Sequence, residues 1–350
     1  MRKSLIYITF LALILSSCEE VYHPAIDTVQ GQLVVEAQIT NNPDPKFSFV
    51  HLTKTTSFYD KQTSAVVTGA TVELVEINGP TIKANSNGPG YFSFSTLPVP
   101  GKSYQLRIII QSDIFESEKV TMPSIPTVNS FYTGHIVKKK YQTDAFGTPI
   151  AFDVAGRELY IDAPITPDLS YYRFQTRAVL EWSYNPPSIG PPLPPHYGWQ
   201  SHYPDGNFNI AGPKKFSQNN LIEKHPLMML PYNAKELYLL PDSIMAGWII
   251  IVDQFGSSAG SYDYHEKLNS QLNADGSLFD PVQTQIYGNI TCISDPSKIV
   301  YGYFDLNSYH QFRYFMYISS PAMVLQREIL RYPNIPEDGD VIGNPPDWWE

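Results

Sequence analysis

From Val29 to Met122 apolar and polar residues alternate in short runs, each closed by Gly, Pro or Asn, and a segment of that period buries one side only as a β-strand. In Gln32–Ile39 the residues Leu33, Val35, Ala37 and Ile39 share one face, and Gln32, Val34, Glu36 and Gln38 share the other. Tyr104–Ile108 repeats the pattern. Further runs at Phe47–Leu52, Ala70–Ile77, Tyr91–Ser95 and Glu118–Met122 are separated by Asn78-Gly79-Pro80, Gly88-Pro89-Gly90 and Pro98–Gly101. Strands punctuated this often predict an antiparallel β-sandwich of Ig-like or transthyretin-like form over residues 29–122, ending at Met122-Pro123-Ser124-Ile125-Pro126.

Residues 127–350 read as a larger, mostly β domain with one short helix. Its clearest strand is Tyr171–Trp182, with Tyr172, Phe174, Thr176, Ala178, Leu180 and Trp182 on the side that covers a core and Arg173, Gln175, Arg177 and Glu181 on the other. Trp248–Phe255, Gln283–Ile290, Ile299–Phe304 and His310–Ser319 predict further strands. The helix is signalled by the capping-box spacing of Asp263 and Glu266, by Tyr264, Leu268 and Leu272 at four-residue intervals, and by Gly276 beyond its end. Asn185–Pro195 holds too many prolines for a ladder and reads as an irregular loop, and Tyr332–Glu350 as surface coil. Composition agrees: charged residues are 17 % against the usual ~25 %, while Pro (30 residues) and aromatics (13 %) are abundant.

The N-terminus sets the location. Arg2 and Lys3 precede an apolar run, Leu5–Leu15, that is too short for a permanent span, which is the pattern of a secretory signal over residues 1–17. The run ends in Leu15-Ser16-Ser17-Cys18, which resembles a bacterial lipobox; the alternative is an ordinary signal peptide with an incidental Cys18. As a lipobox it makes Cys18 the acylated first residue of the mature chain, residues 18–28 a tether, and the acyl chains the attachment to the membrane. No other stretch approaches a span of ~20 apolar residues. With Cys18 lipidated only Cys292 remains, so no intrachain disulfide is expected and Cys292 reads as a small buried hydrophobe. The net charge of −10 argues against nucleic acid as a partner.

Several segments, in this order, resemble a family of exported lipoproteins of Bacteroidota known only as a domain of unknown function, DUF4249. They are Leu33–Thr40, Val67–Leu74, Pro100–Ile108, Tyr262-Asp263-Tyr264, Gln271-Leu272, Phe279-Asp280-Pro281, Gly288-Asn289-Ile290 and Val300–Phe304. Pro346-Asp347-Trp348-Trp349 is similar to the family's closing aromatic motif, while the cysteine pair that often precedes that motif is missing. The resemblance implies an outer-membrane lipoprotein that accompanies a TonB-dependent β-barrel transporter, with no catalytic residue to carry over. Glu19-Glu20 directly after Cys18 also resembles the acidic signal that sends such lipoproteins to the cell surface.

Motifs of chemistry are sparse. Gly256-Ser257-Ser258-Ala259-Gly260 has the G-x-S-x-G form of a hydrolase nucleophile elbow between a strand and a helix, with His310 as the available downstream base, but the βα alternation of that fold is missing. The eight histidines are scattered. His265-Glu266 lacks a second zinc ligand, His196 and His202 share a loop without a cysteine or carboxylate partner, and Asp205, Asn207 and Asn209 read as a turn rather than a calcium loop. No metal and no cofactor is therefore expected. The segment with most to offer a ligand or partner is Trp182–Phe208, which gathers Trp182, Tyr184, His196, Tyr197, Trp199, His202, Tyr203 and Phe208 around the proline-rich loop. The expectation is a non-enzymatic protein that binds an extracellular ligand or docks on a transporter. The alternatives are a serine hydrolase using Ser258, or a structural or adhesive envelope protein.

Overall fold

The computed structural model describes residues 31–56, 65–144, 146–213, 220–232, 243–274, 285–319, 322–328, 335 and 338–344. Residues 1–17 expected as a leader, Cys18, Glu19-Glu20, Gly276, Phe279-Asp280-Pro281 and Pro346-Asp347-Trp348-Trp349 lie outside the described residues.

The alternating runs form two facing sheets. One is ordered Val300–Leu306, Leu33–Ile39, Phe49–Lys54, Tyr91–Ser93, Asn85–Gly88, with Ala65–Val66 beside Phe49–Lys54. The other runs Ile290–Cys292, Asp113–Ser117, Ser103–Ile110, Thr71–Glu76, Thr81–Lys83, with Val120–Thr121 beside Ser103–Ile110. Leu33, Val35, Ala37 and Ile39 are buried as their alternation requires, and they join Leu52, Leu74, Leu106, Ile108 and Phe304 in one apolar core. Sequence alone expects this sandwich to be made of residues 29–122, and the structure adds two strands from beyond Met122. Val300–Leu306 pairs in parallel with Leu33–Ile39, and Ile290–Cys292 pairs with Asp113–Ser117. Parallel pairing needs a long crossover and so leaves no hairpin signal; the crossover here is the whole second region, which returns to cover an edge that would otherwise be open. Val35 opposes Gly302, whose φ is 88°, and a Cβ there would meet the Val35 carbonyl oxygen at 2.0 Å, so the approach requires glycine.

The second region packs a three-stranded sheet (Ser130–Thr143, Pro149–Pro164, Leu221–Pro231) on a seven-stranded one. The larger sheet is ordered Ala322–Glu328, Ser308–Ser319, Ile244–Ser257, Tyr171–Tyr184, His196–His202, Gly339–Ile342, with Asn209–Ala211 also beside Tyr171–Tyr184. Tyr172, Phe174, Ala178 and Leu180 face the core as expected, against Leu159, Ile161, Leu227 and the fully buried Trp248. The opposite face of the large sheet carries a second, smaller apolar patch of Val179, Ile249, Ile251 and Phe315 under Ile335.

Three local expectations are corrected. The helix is Ala259–Leu272, and its cap is Ser258, whose side chain accepts the Ser261 N–H; a small hydroxyl just past the strand end supplies the cap before Asp263 is reached. Its buried residues are Ser261 and His265, while Leu272 is exposed. Gln285–Gly288 is coil and the strand begins only at Ile290. Within the C-terminal stretch expected as coil, Gly339–Ile342 is a strand against His196–Trp199, and a strand so short gives no readable periodicity.

A candidate ligand-binding cleft at an interrupted strand edge

Tyr171–Tyr184 has two separate neighbours along one edge. Ala178–Tyr184 pairs with His196–His202, and Tyr172–Phe174 pairs with Asn209–Ala211. Between them Tyr203–Phe208 leaves the sheet, and the registered pairing that ends at Phe174 resumes at Ala178. The departure is written into the sequence: Pro204 cannot donate to a ladder, and Gly206 adopts a φ of 106°. The excursion is tied down rather than loose. Phe208 N donates to Asn269 Oδ1 (3.0 Å), Asn269 Nδ2 donates to the Phe208 carbonyl (2.7 Å), and Lys140 pairs with Asp205 at 3.2 Å.

The space left at the gap is a cleft of about 820 Å³ that reaches both faces of the sheet, within the size range of small-molecule sites. Its outer wall presents Gln175, Arg177, Asp253, Gln311 and Arg313, with Asp44, Lys46 and Phe47 contributed by the sandwich. Strand register makes this wall: Gln175, Asp253 and Gln311 lie in one cross-strand row, and Arg177, Ile251 and Arg313 in the next. The polar groups are braced. Tyr309 OH and Gln311 Nε2 donate to Asp253 Oδ1 (2.5 and 2.7 Å), Arg313 Nε donates to Gln311 Oε1 (2.7 Å), and Arg177 Nη2 donates to the Ile335 carbonyl (3.1 Å). Burial lowers the Arg313 pKa from its ordinary value, with Asp253 opposing that effect.

The inner wall presents Thr176, His202, Asn209, His225 and Leu227–Met229. His202 Nε2–H donates to the Met229 carbonyl (3.1 Å), and burial lowers its pKa, so the ring is neutral at pH 7. Asn209 Nδ2 donates to the Pro226 carbonyl, which leaves its Oδ1 to accept His225 Nε2–H at 2.5 Å. Thr176, in the middle of the gap, is only 6 % exposed and its hydroxyl has no hydrogen-bond partner.

The residues expected to form one aromatic surface are divided by the two-residue period of the strand. His202 and Tyr203, with Phe208, line the cleft. Trp182 lies against Gly198, where a Cβ would meet the indole at 2.2 Å, and packs on the main core. Trp199 covers Gly339 in the same way and packs on the outer patch. Tyr184 and His196 meet edge to face beside the proline-rich loop (6.4 Å), and Tyr197 lies opposite Ser183 and Val341. Sequence reasoning misses Arg177, Asp253, Gln311 and Arg313 as one group. The signal was polar alternation in strands whose other face is apolar, but only register shows that the polar faces coincide.

Other candidate chemistry is placed as follows. Ser258 caps the helix and is hydrogen-bonded to Tyr303, while His310 lies opposite Gln254, and no hydrogen bond joins Ser258 to a histidine among the described residues. Cys292 is buried in the sandwich core with its sulfur 3.3 Å from Ser294 Oγ. No cluster of three or more His, Cys, Asp or Glu side chains is placed to hold a metal among the described residues. Nor is any described helix long and apolar enough to cross a membrane. Comparison with curated proteins and with solved structures finds no match. The family profile described as "Domain of unknown function (DUF4249)" matches residues 19–313, most of the chain, and the protein belongs to that family.

Proposed function

We propose that the protein is an outer-membrane lipoprotein, anchored through acylated Cys18 and displayed at the cell surface, which holds an extracellular ligand in the cleft as an accessory subunit of a TonB-dependent transporter. The observation that carries the binding part is the cleft itself, a space of about 820 Å³ whose wall includes a buried hydroxyl without a partner and two guanidiniums. Holding rather than converting is the better reading, because both imidazoles at the cleft spend their Nε2 protons on fixed acceptors. The Ser258 oxygen likewise serves a helix cap. The leader and Cys18 carry the address, since acyl chains stabilise membrane attachment by about 0.8 kcal/mol per buried CH₂.

Fractionation of cells expressing the wild type and Cys18→Ala tests the anchor. The wild type requires detergent for release and the variant does not; a variant still requiring detergent overturns the lipoprotein reading. Protease added to intact cells is expected to remove the protein while sparing a periplasmic control, and affinity purification is expected to bring a β-barrel with it. Labelling of Ser258 by a fluorophosphonate would instead favour a hydrolase.

A further inference from the structure

We propose that the tip of the hairpin formed by Ser130–Thr143 and Pro149–Pro164 dips into the lipid surface beside the anchor, with Phe146 entering first and Tyr141 and Ile150 following on its two faces. The inference rests on the reading of the protein as lipid-anchored, and it adds a second, weaker contact that orients the tethered body.

Three observations converge on it. The first is exposure. Val137, Tyr141, Phe146 and Ile150 are 52, 73, 93 and 52 % exposed, so four large apolar side chains stand in water on one hairpin. Single exposed apolar side chains are ordinary, whereas a group of them marks a surface that something covers. The turn that presents them is built rather than frayed. Asp144 Oδ1 accepts the Phe146 N–H (2.8 Å) and the Thr148 N–H (2.7 Å), the Asp144 N–H donates to the Thr148 carbonyl (3.0 Å), and Gly147 takes a φ of 83°.

The second is distribution. Tyr141 stands opposite Ala151, and Gln142 opposite Ile150, so the two-residue period puts Tyr141 and Ile150 on opposite faces, with Phe146 beyond both at the turn. A partner protein or a second copy would cover one face of such a ribbon and leave the other in water. Apolar side chains on both faces and at the end suit a medium that surrounds the tip. A phenyl ring at the apex with a phenol behind it matches the boundary where hydrocarbon gives way to water.

The third is charge. Asp144 is the one charged side chain among the described residues from Tyr141 to Ala151, and it is turned onto its own backbone. Nearer the body Lys138, Lys139 and Lys140 pair with Glu158, Asp153 and Asp205 at 2.8, 3.1 and 3.2 Å. Shallow immersion therefore strips water from no lysine and from no carboxylate without a partner. Lipid is also close at hand: residues 18–30 separate Cys18 from the first described residue and span at most roughly 45 Å when fully extended.

The test uses the purified full-length protein with Phe146→Cys, labelled there with an environment-sensitive fluorophore and mixed with phosphatidylcholine vesicles that carry a spin-labelled lipid as quencher. A matched protein is labelled at Ile189→Cys, fully exposed in the proline-rich loop. Cys292 is buried, and any labelling of Cys18 is common to both proteins. On adding vesicles the label at 146 is expected to shift to the blue and to be quenched several-fold more than the label at 189. Tyr141→Ser with Ile150→Ser, which changes only exposed side chains, reduces that quenching several-fold. Equal quenching at 146 and 189, or none at either, overturns the proposal. So does a label at 146 already shielded before vesicles are added, which means that a second copy covers the tip. Three side chains make a reversible contact and not an anchor, so Cys18→Ala still leaves cell membranes without detergent. A wild type that requires detergent for release yet shows no preference for 146 overturns this inference alone. Preferential quenching at 146 in a wild type that leaves cells without detergent overturns the anchor alone.

Discussion

The sandwich and the seven-stranded sheet obey the same two-residue period but treat polar groups differently. In the strands from Leu33 to Thr121 the inward positions are mostly apolar and the polar groups among them are paired: Tyr104 donates to Glu76 and accepts from Val99 N, and Ser117 Oγ donates to the Glu118 carbonyl and accepts from Leu106 N. The described buried side chains whose polar atoms lack a partner, Thr176, Glu181, Gln254, Asn307 and His310 among them, lie C-terminal to Met122, with Asp305 on the strand Val300–Leu306 that joins the sandwich. Where the two regions join, the buried Arg173 donates to the half-buried Gln38 (2.6 Å), sits 3.6 Å from the buried Asp305 and lies over the buried Phe255 ring. The difference teaches that the buried polar groups of the sandwich strands are paired, whereas the larger sheet accepts the cost of buried polar groups without a partner.

The largest effect is expected at the joint. Asp305→Ala leaves the Arg173 guanidinium buried without its counter-ion and is expected to cost about 3–5 kcal/mol in denaturant unfolding. Adding Arg173→Met should recover much of that loss. If Asp305→Ala is silent, the joint is not the weak seam that the comparison makes it.

Glu181 comes next. It is fully buried opposite Trp199 and Gly247, neither carboxyl oxygen has a hydrogen-bond partner, and burial raises its pKa to about 9. A carboxyl whose folded pKa lies above its unfolded value holds a proton in the fold that the unfolded chain has released. Stability therefore falls as pH rises from the ordinary carboxylate range towards about 9, and the loss is complete above it. Glu181→Gln is expected to stabilise by roughly 3 kcal/mol at pH 8 and by almost nothing at pH 4, giving a flatter profile of thermal midpoint against pH. Equal gains at both pH values would show that ionisation is not the cause.

The smallest effect sharpens the contrast directly. Val72 is buried in the sandwich core, and Val72→Thr places there a hydroxyl with nothing to accept it, costing about 1–3 kcal/mol. The mirror change, Thr176→Val in the larger sheet, costs nothing. Equal penalties for the two substitutions, measured by chemical denaturation, would erase the distinction between the regions.

The inner face of Leu33–Ile39 and of Tyr171–Leu180 is legible in the sequence because one strand's alternation reports one strand's burial. The helix is legible as an element, but not its start. Asp263 and Glu266 have the spacing of a capping box, yet Ser258 meets the first free N–H groups sooner. The aromatic segment is legible as rich in rings but not as a surface, because its alternate residues point to opposite faces. Trp199 and His202 therefore serve different layers.

By itself the sequence determined a β-rich chain of two regions, the strands that face each core, the proline-rich loop at Asn185–Pro195 and membership of the family shown over residues 19–313. Hydrophobic period, turn residues and local motifs are all properties of neighbours in the chain, and each can be read without knowing what lies across from it. Only the tertiary structure decided that Val300–Leu306 completes the sandwich, that Arg177, Asp253 and Arg313 share a wall, and that one strand edge is shared by two separate partner strands. Those facts depend on pairing between segments far apart in sequence. Such pairing is selected by the burial of whole faces and by closure of edges, so no single segment carries the information.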